Sequence, residues 1–224
     1  MKKAVVLLSG GVDSAVTLYM ANQKYKCSSL IFDYGQKAIR EIEFARKLSE
    51  ILNIESQILN IPMPWKGSAL LDENIDVLGG RISGDGSIPE TYVPARNIVF
   101  LSFGVSFAET IGAEAVFIGT HQMDFSNYPD CRTEFFESFQ KTIDLGTKKG
   151  VEKHGIRITT PVINMTKKEI VAEGIRLGVP FENTWSCYTA GEKPCGECES
   201  CFFRIKAFED LGMADPLVKT VGLS

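Results

Sequence analysis

Residues 9–14 read Ser-Gly-Gly-Val-Asp-Ser and follow the apolar run Ala4-Val5-Val6-Leu7-Leu8. Glycines bare their backbone N–H groups, two hydroxyls flank them, and the N-terminus of the helix that follows carries about half a positive charge. Those groups converge on one spot that suits a phosphate. A plain strand-to-helix connector would also use Gly10-Gly11, since a tight turn needs positive φ without a Cβ, but it would leave the serines and Asp13 without a purpose. The dinucleotide pattern GxGxxG and the lysine-bearing pattern GxxxxGK(S/T) are both absent, so this is a phosphate loop of another kind.

A second constellation lies near the C-terminus, in "SCYTAGEKPCGECESC". Cys187, Cys195, Cys198 and Cys201 are spaced C-x7-C-x2-C-x2-C, and Gly196 permits the tight turn that brings successive thiolates to one ion. Four thiolates at about 2.3 Å suit tetrahedral Zn2+, and a closed four-cysteine site is structural. An iron–sulfur cluster is the rival, because C-x2-C-x2-C opens the bacterial ferredoxin run. Here Phe202-Phe203-Arg204-Ile205 follows in place of that run's next cysteine. Ordinary core cysteines are the third reading.

The elements that must position these groups alternate along the chain. Ala4–Leu8, Cys27–Phe32, Ser56–Ile61, Ala115–Gly119 and Ile156–Thr159 read as strands. Helices are predicted over Ser14–Lys24, Ala38–Leu52, Asn97–Ile111 and Thr133–Leu145. The second carries Ile39, Ile42, Ala45, Leu48 and Leu52 on one stripe, and Thr166-Lys167-Lys168-Glu169 is a capping box that opens a further helix. Residues 62–93, rich in Pro and Gly, are too long for a mere connector. The rhythm predicts an α/β fold, an open, mostly parallel five-stranded sheet with helices on both faces. Ligands of such sheets bind at the carboxyl ends of the strands. That rim collects Ser9–Ser14, "FDYGQ" and "GTHQMDFSNYPDCR".

The 224 residues carry 24 Lys and Arg against 28 Asp and Glu, a net charge of −4 that argues against a large nucleic-acid footprint. No apolar run approaches the roughly 18 residues of a membrane span, and Lys2-Lys3 leads into a strand without a cleavage-site pattern. A cytoplasmic protein with no membrane and no direct nucleic-acid partner is expected. Six cysteines then point to metal or thiol chemistry before disulfides.

SGGxDS after a first strand resembles the pyrophosphate-binding loop of the N-type ATP pyrophosphatases, which split ATP between its α and β phosphates. With "FDYGQ", "YVPARN", "DFSNYPDCR" and the cysteine cluster, nearly the whole chain is similar to the QueC/ExsB family of 7-cyano-7-deazaguanine synthases. Two positions depart from that family's pattern. Lys37-Ala38 stands where a basic residue and a histidine are common, and Asn127 replaces a usual glycine, although Asn tolerates left-handed backbone.

The resemblance implies an adenine nucleotide α-hydrolase-like ATP domain over 1–180 and a zinc-binding segment over 181–224 packed on it. It implies that Leu8, Ser9, Gly10, Gly11, Val12, Asp13, Ser14 and Ala15, with Phe32 and Tyr34, contact ATP. Asp13 would help to position Mg2+ and, with the cations Arg96, Arg132 and Lys167, act in catalysis; each cation could instead be a solvated surface charge. The implied substrates are the deazapurine carboxylate 7-carboxy-7-deazaguanine and ammonia, and a homodimer is expected. Guanine-like N1–H and N2–H2 donors match a carboxylate, for which Asp124 and Asp130 are candidates. Tyr128 or Phe125 could stack on the ring. Cys131 and Cys27 read as packed thiols.

Three other readings compete. A tRNA thiolase would share the loop and use Cys131 for sulfur transfer. A glutamine-dependent synthetase lacks its cysteine at Lys2 and room for an amidotransferase domain. A non-enzymatic zinc module would leave the phosphate loop unexplained.

Overall fold

Apolar runs and amphipathic stretches become an all-parallel sheet in the computed structural model, which describes residues 1–77, 87–121 and 128–221. Its strands are β1 (Lys2–Leu7), β2 (Tyr25–Asp33), β3 (Glu55–Asn60), β4 (Ala115–Ile118) and β5 (Arg157–Thr159), in the order β3-β2-β1-β4-β5. The helices are α1 (Val12–Asn22), α2 (Arg40–Ile51), α3 (Arg96–Ile111), α4 (Thr133–Gly146), α5 (Lys148–Val151), α6 (Lys167–Leu177), α7 (Glu199–Glu209) and α8 (Pro216–Val221). None of them is long and apolar enough to cross a membrane.

Strand alternation builds two cores. Ala4, Val6 and Leu8 pack with α1, α2 and α6 on one face, whereas Val5 and Leu7 pack with α3 and α4 on the other. The chain steps outward from β1 to β3, then returns to place β4 on the opposite side of β1. That reversal opens a crevice at the carboxyl ends of β1 and β4. A third apolar cluster joins Trp185, Cys187, Cys198, Cys201 and Leu217 to Ala38, with Phe44 of α2 packed against it.

Every expected strand and helix forms, with shifted ends. Ile39 leaves the predicted stripe: it precedes α2 and is 57% exposed, while Ala45 and Leu48 are buried. Thr166 and Glu169 form the expected reciprocal capping box. Helix α7 was not foreseen, because its first turn lies inside the cysteine motif, where ligand spacing hides helical periodicity.

Two glycines set how closely elements approach the crevice. Gly10 has φ +87°, and a Cβ there would lie 2.4 Å from Glu41 O and 2.9 Å from Ala45 N of α2. A Cβ on Gly119, just past β4, would meet the backbone of Asp13 and Ser14 at 2.7 Å. Gly11 differs from the expectation for the pair: its φ is −77° and a Cβ would make only ordinary contacts at 3.5 Å. The steric demand therefore falls on Gly10.

Candidate functional site

The loop between β1 and α1 is held by its own hydroxyls. Ser9 Oγ donates to Ser14 Oγ at 3.0 Å, Ser14 Oγ donates to the Gly11 carbonyl at 3.1 Å, and Gly11 N–H donates to Ser9 Oγ at 3.3 Å. Residues 9–14 thus curl around the N-terminus of α1, where unsatisfied N–H groups and the helix dipole favour an anion.

Asp13, in the first turn of α1, meets Lys167, the first residue of α6. Lys167 Nζ donates to both carboxylate oxygens, at 2.7 and 2.8 Å, and His121 Nε2 stands 3.3 Å from Oδ2. Burial works to raise the Asp13 pKa, but Lys167 and then His121 outweigh it and hold the carboxyl below its usual value. Arg96 opens α3 and donates from Nη1 to Tyr34 Oη at 3.1 Å. Ala95 before it sits at φ +56°, a left-handed conformation that costs about 1–2 kcal/mol, and its N–H is tied to Tyr92 Oη at 3.0 Å. Strain immediately before Arg96 fixes where that guanidinium enters the crevice.

Two cavities meet at these charges. The first, about 230 Å³, has apolar walls from Leu8, Ile31, Phe32, Phe100 and Ile118 and the loop residues Ser9, Gly11 and Ser14 at one end. The second, about 180 Å³, is lined by Tyr128, His121, Cys131, Tyr188, Glu199 and Phe203. Asp13, Arg96 and Lys167 stand on both walls. The first cavity thus joins apolar walls to the hydroxyls of the loop, and the charged side chains stand where the two cavities meet.

Of the residues singled out in the sequence, Leu8, Ser9, Gly11, Val12, Asp13, Ser14, Phe32 and Tyr34 line the first cavity. Gly10 and Ala15 serve from behind, as the acceptor of Trp185 N–H and as a buried residue of α1. Tyr128 lines both cavities, with its hydroxyl 2.6 Å from Thr91 Oγ1. Asp130 is buried, and its carboxylate accepts Asn97 N–H at 3.0 Å, satisfying an otherwise orphaned donor in the first turn of α3. It lines neither cavity, and Arg132, exposed at the start of α4, does not either. Asp124 and Phe125 lie outside the described residues. Burial, with the Asp130 carboxylate adding to it, pushes the Cys131 thiol up to about 12, and burial pushes Cys27 up to about 11. Both therefore stay protonated.

The cysteines converge. The four Sγ atoms lie within 4.8 Å of one another, with Cys195 and Cys201 at 4.0 Å. Ligands around one ion at about 2.3 Å would be about 3.8 Å apart, so the donor set fits a tetrahedral thiolate centre. Backbone N–H groups of Cys195 and Cys198 point at the sulfurs of Cys187 and Cys195, at 3.2 and 3.3 Å, as thiolates require. Gly196 makes the turn at φ +76°. Hydrogen bonds from Cys198 and Cys201 lower the Cys187 pKa while theirs rise.

Sequence reasoning passed over Glu41, which lies on the wall of the first cavity one turn after "FDYGQ". Its only signal was an acid at the start of the helix that leaves the rim. Burial pushes its carboxyl from 4.5 up to about 8, against the pull of Arg96 and with a push from Cys187. A carboxyl with a raised native pKa costs stability as pH rises from its unfolded value towards its folded one. Glu41→Gln is accordingly expected to be more stable than the wild type at pH 8, with the difference closing below about pH 4. Urea midpoints across that range measure it; a variant less stable at pH 8 would show Glu41 to be ionised and paired.

The family model described as "Queuosine biosynthesis protein QueC" matches residues 3–212. The 7-cyano-7-deazaguanine synthase of Trichodesmium erythraeum is 47% identical over 221 residues, covering 96% of this chain and 100% of that protein. The enzyme of the same name from Thermoplasma acidophilum is 44% identical, covering 96% and 91%. Among solved structures, NMN synthetase from Francisella tularensis has a TM-score of 0.50 at 16% identity, covering 95% of this chain and 77% of that one, a likeness of fold. By the match over nearly its whole length, the chain belongs to the QueC family of queuosine biosynthesis proteins.

Proposed function

We propose that the protein converts 7-carboxy-7-deazaguanine and ammonia to 7-cyano-7-deazaguanine with consumption of ATP. The observation that carries this reading is the pair of cavities sharing Asp13, Arg96 and Lys167. A nucleotide in the first places its phosphates on residues 9–14, and a deazapurine in the second brings its carboxylate to the junction.

The chemistry follows from what a carboxylate lacks. It is a poor electrophile, so its oxygen first attacks the α-phosphorus of ATP and pyrophosphate leaves. Ammonia attacks the acyl carbon, AMP leaves with the C–O bond, one proton is lost and an amide forms. The amide oxygen then attacks a second ATP, and loss of AMP with the two nitrogen protons closes the C≡N bond. Negative charge grows on phosphate oxygens in both activations, and loop N–H groups, Arg96 and Lys167 stabilise it. Mg2+ held through Asp13 would neutralise phosphate charge.

Tyr128, Tyr188 and Phe203 offer flat faces to the deazapurine, and Glu199 is a carboxyl on the same wall. The four cysteines would hold Zn2+ as a structural ion. Sulfur transfer through Cys131 is disfavoured, since burial holds that thiol protonated. The α3 face presents Ile98 (42% exposed) and Phe103 (41%), and α3 has no charged residue between Arg96 and Glu109. This face suits a homodimer, which Phe103→Glu should split into monomers in sedimentation.

Pyrophosphate release requiring the acid, ammonia and ATP together, at two per nitrile formed, is the expected result. Asp13→Ala should lower turnover at least tenfold, about 1.4 kcal/mol of barrier; unchanged turnover removes Asp13 from the mechanism. Cys198→Ser should lose metal and thermal stability together, because thiolate sites bind zinc with about 10–16 kcal/mol in small domains. Colourless metal at one per chain is expected, and brown, oxygen-sensitive protein would replace zinc by an iron–sulfur cluster.

A further inference from the structure

Arg204 of α7 is 3% exposed, and its guanidinium spends every donor. Nε and Nη2 grip Asp215 at 2.7 and 2.9 Å, and Nη2 also donates to the Phe181 carbonyl at 2.9 Å. Nη1 donates to Thr184 Oγ1 at 2.8 Å and to the Thr184 carbonyl at 3.1 Å, with Ser186 Oγ at 3.4 Å.

The Thr184 carbonyl shares a peptide plane with the Trp185 N–H, and in a trans peptide the two point in opposite directions. On its far side the Trp185 N–H donates to the Gly10 carbonyl at 2.8 Å. That carbonyl in turn shares its plane with the Gly11 N–H, which faces Ser9 Oγ at 3.3 Å on the wall of the first cavity. A buried cation, two peptide planes and a glycine N–H therefore stand head to tail from α7 to the phosphate loop. Each bond in such a chain polarises the next. Gly10 is a glycine at φ +87°, a residue whose peptide can turn over without a Cβ to oppose it, and the Trp185 N–H is an external grip on its carbonyl.

We propose that Arg204 is a positioning residue for the phosphate loop: through Thr184 and Trp185 it fixes the Gly10–Gly11 peptide, and with it the Gly11 N–H bond to Ser9 Oγ that shapes the loop for a phosphate. The inference rests on the assignment of residues 9–14 to ATP. It gives the C-terminal cysteine segment a part in nucleotide binding, since Cys201 lies one helical turn before Arg204.

Arg204→Lys keeps a cation opposite Asp215 but loses the fork. ATP binding by calorimetry is expected to weaken about tenfold, with the KM for the deazapurine acid and the metal content unchanged. A loss of thermal stability with ATP affinity intact, or equal losses for ATP and acid, overturns the proposal. Should that variant fail to fold, Arg204→Gln with Asp215→Asn replaces the buried ion pair by a neutral amide pair and removes the cation from the Thr184 carbonyl. It is expected to weaken ATP binding selectively, and an unchanged affinity overturns the proposal as well. Wild-type protein that binds neither ATP nor pyrophosphate would remove the functional reading together with this one, whereas tight wild-type binding matched by Arg204→Lys removes this one alone.

Discussion

The Asp13 carboxylate is the constraint around which the site is organised. It joins the N-termini of α1 and α6, each carrying about half a positive charge, and faces Lys167 and His121. Arg96 lines the same cavities, and of the carboxyls on their walls, with Glu41 and Glu199, Asp13 is the one paired directly with Lys167. Its ion pair ties α1 to α6 at their N-termini, beside the apolar packing of the two helices. On the proposed function, polyphosphate arriving at the loop would add negative charge beside Asp13 and share its cations.

Much of this was legible because backbone demands write themselves into residue type. A loop that must pass within contact distance of the α2 backbone needs a glycine at position 10, and four thiols that must meet need short, regular spacing. Strand alternation and the Thr166–Glu169 box likewise depend on neighbours a few residues away. The junction of the two cavities was only partly visible. Lys167 and Asp13 are far apart in the chain, and only the placement of β4 beside β1 brings their helices together.

Side-chain direction was the least legible property. Asp130 and Tyr128 lie two residues apart in "NYPDCR", yet the 3-10 turn over Pro129–Cys131 sends them to different tasks. The tyrosine faces the cavities while the carboxylate turns inward to the Asn97 N–H. Residue type alone makes Asp130, like Asp124, a candidate reader of a purine edge, and nothing in the local sequence announces that α3 has a donor to satisfy. Glu41 erred in the other sense: an acid in a helix reads as solvated surface, and only the tertiary fold closes the first cavity over it.

Helix α7 places the four-cysteine cluster close to the second cavity. Positions three apart share a helix face, and Cys198 and Cys201 use that spacing to meet the other two sulfurs. Arg204, three further on, continues the same buried side towards Thr184. Glu199, Ser200 and Phe203 turn the opposite way and line the second cavity. One short helix with its N-cap thus carries two of the clustered cysteines, the Arg204 contacts to Thr184 and a wall of the second chamber. A metal held by the four sulfurs would fix its rotation at the N-terminus, where a helix of 11 residues would otherwise fray. A rotation of one residue's worth would exchange the faces, so a closed, rigid four-thiolate centre is a suitable device for holding both cavities in register.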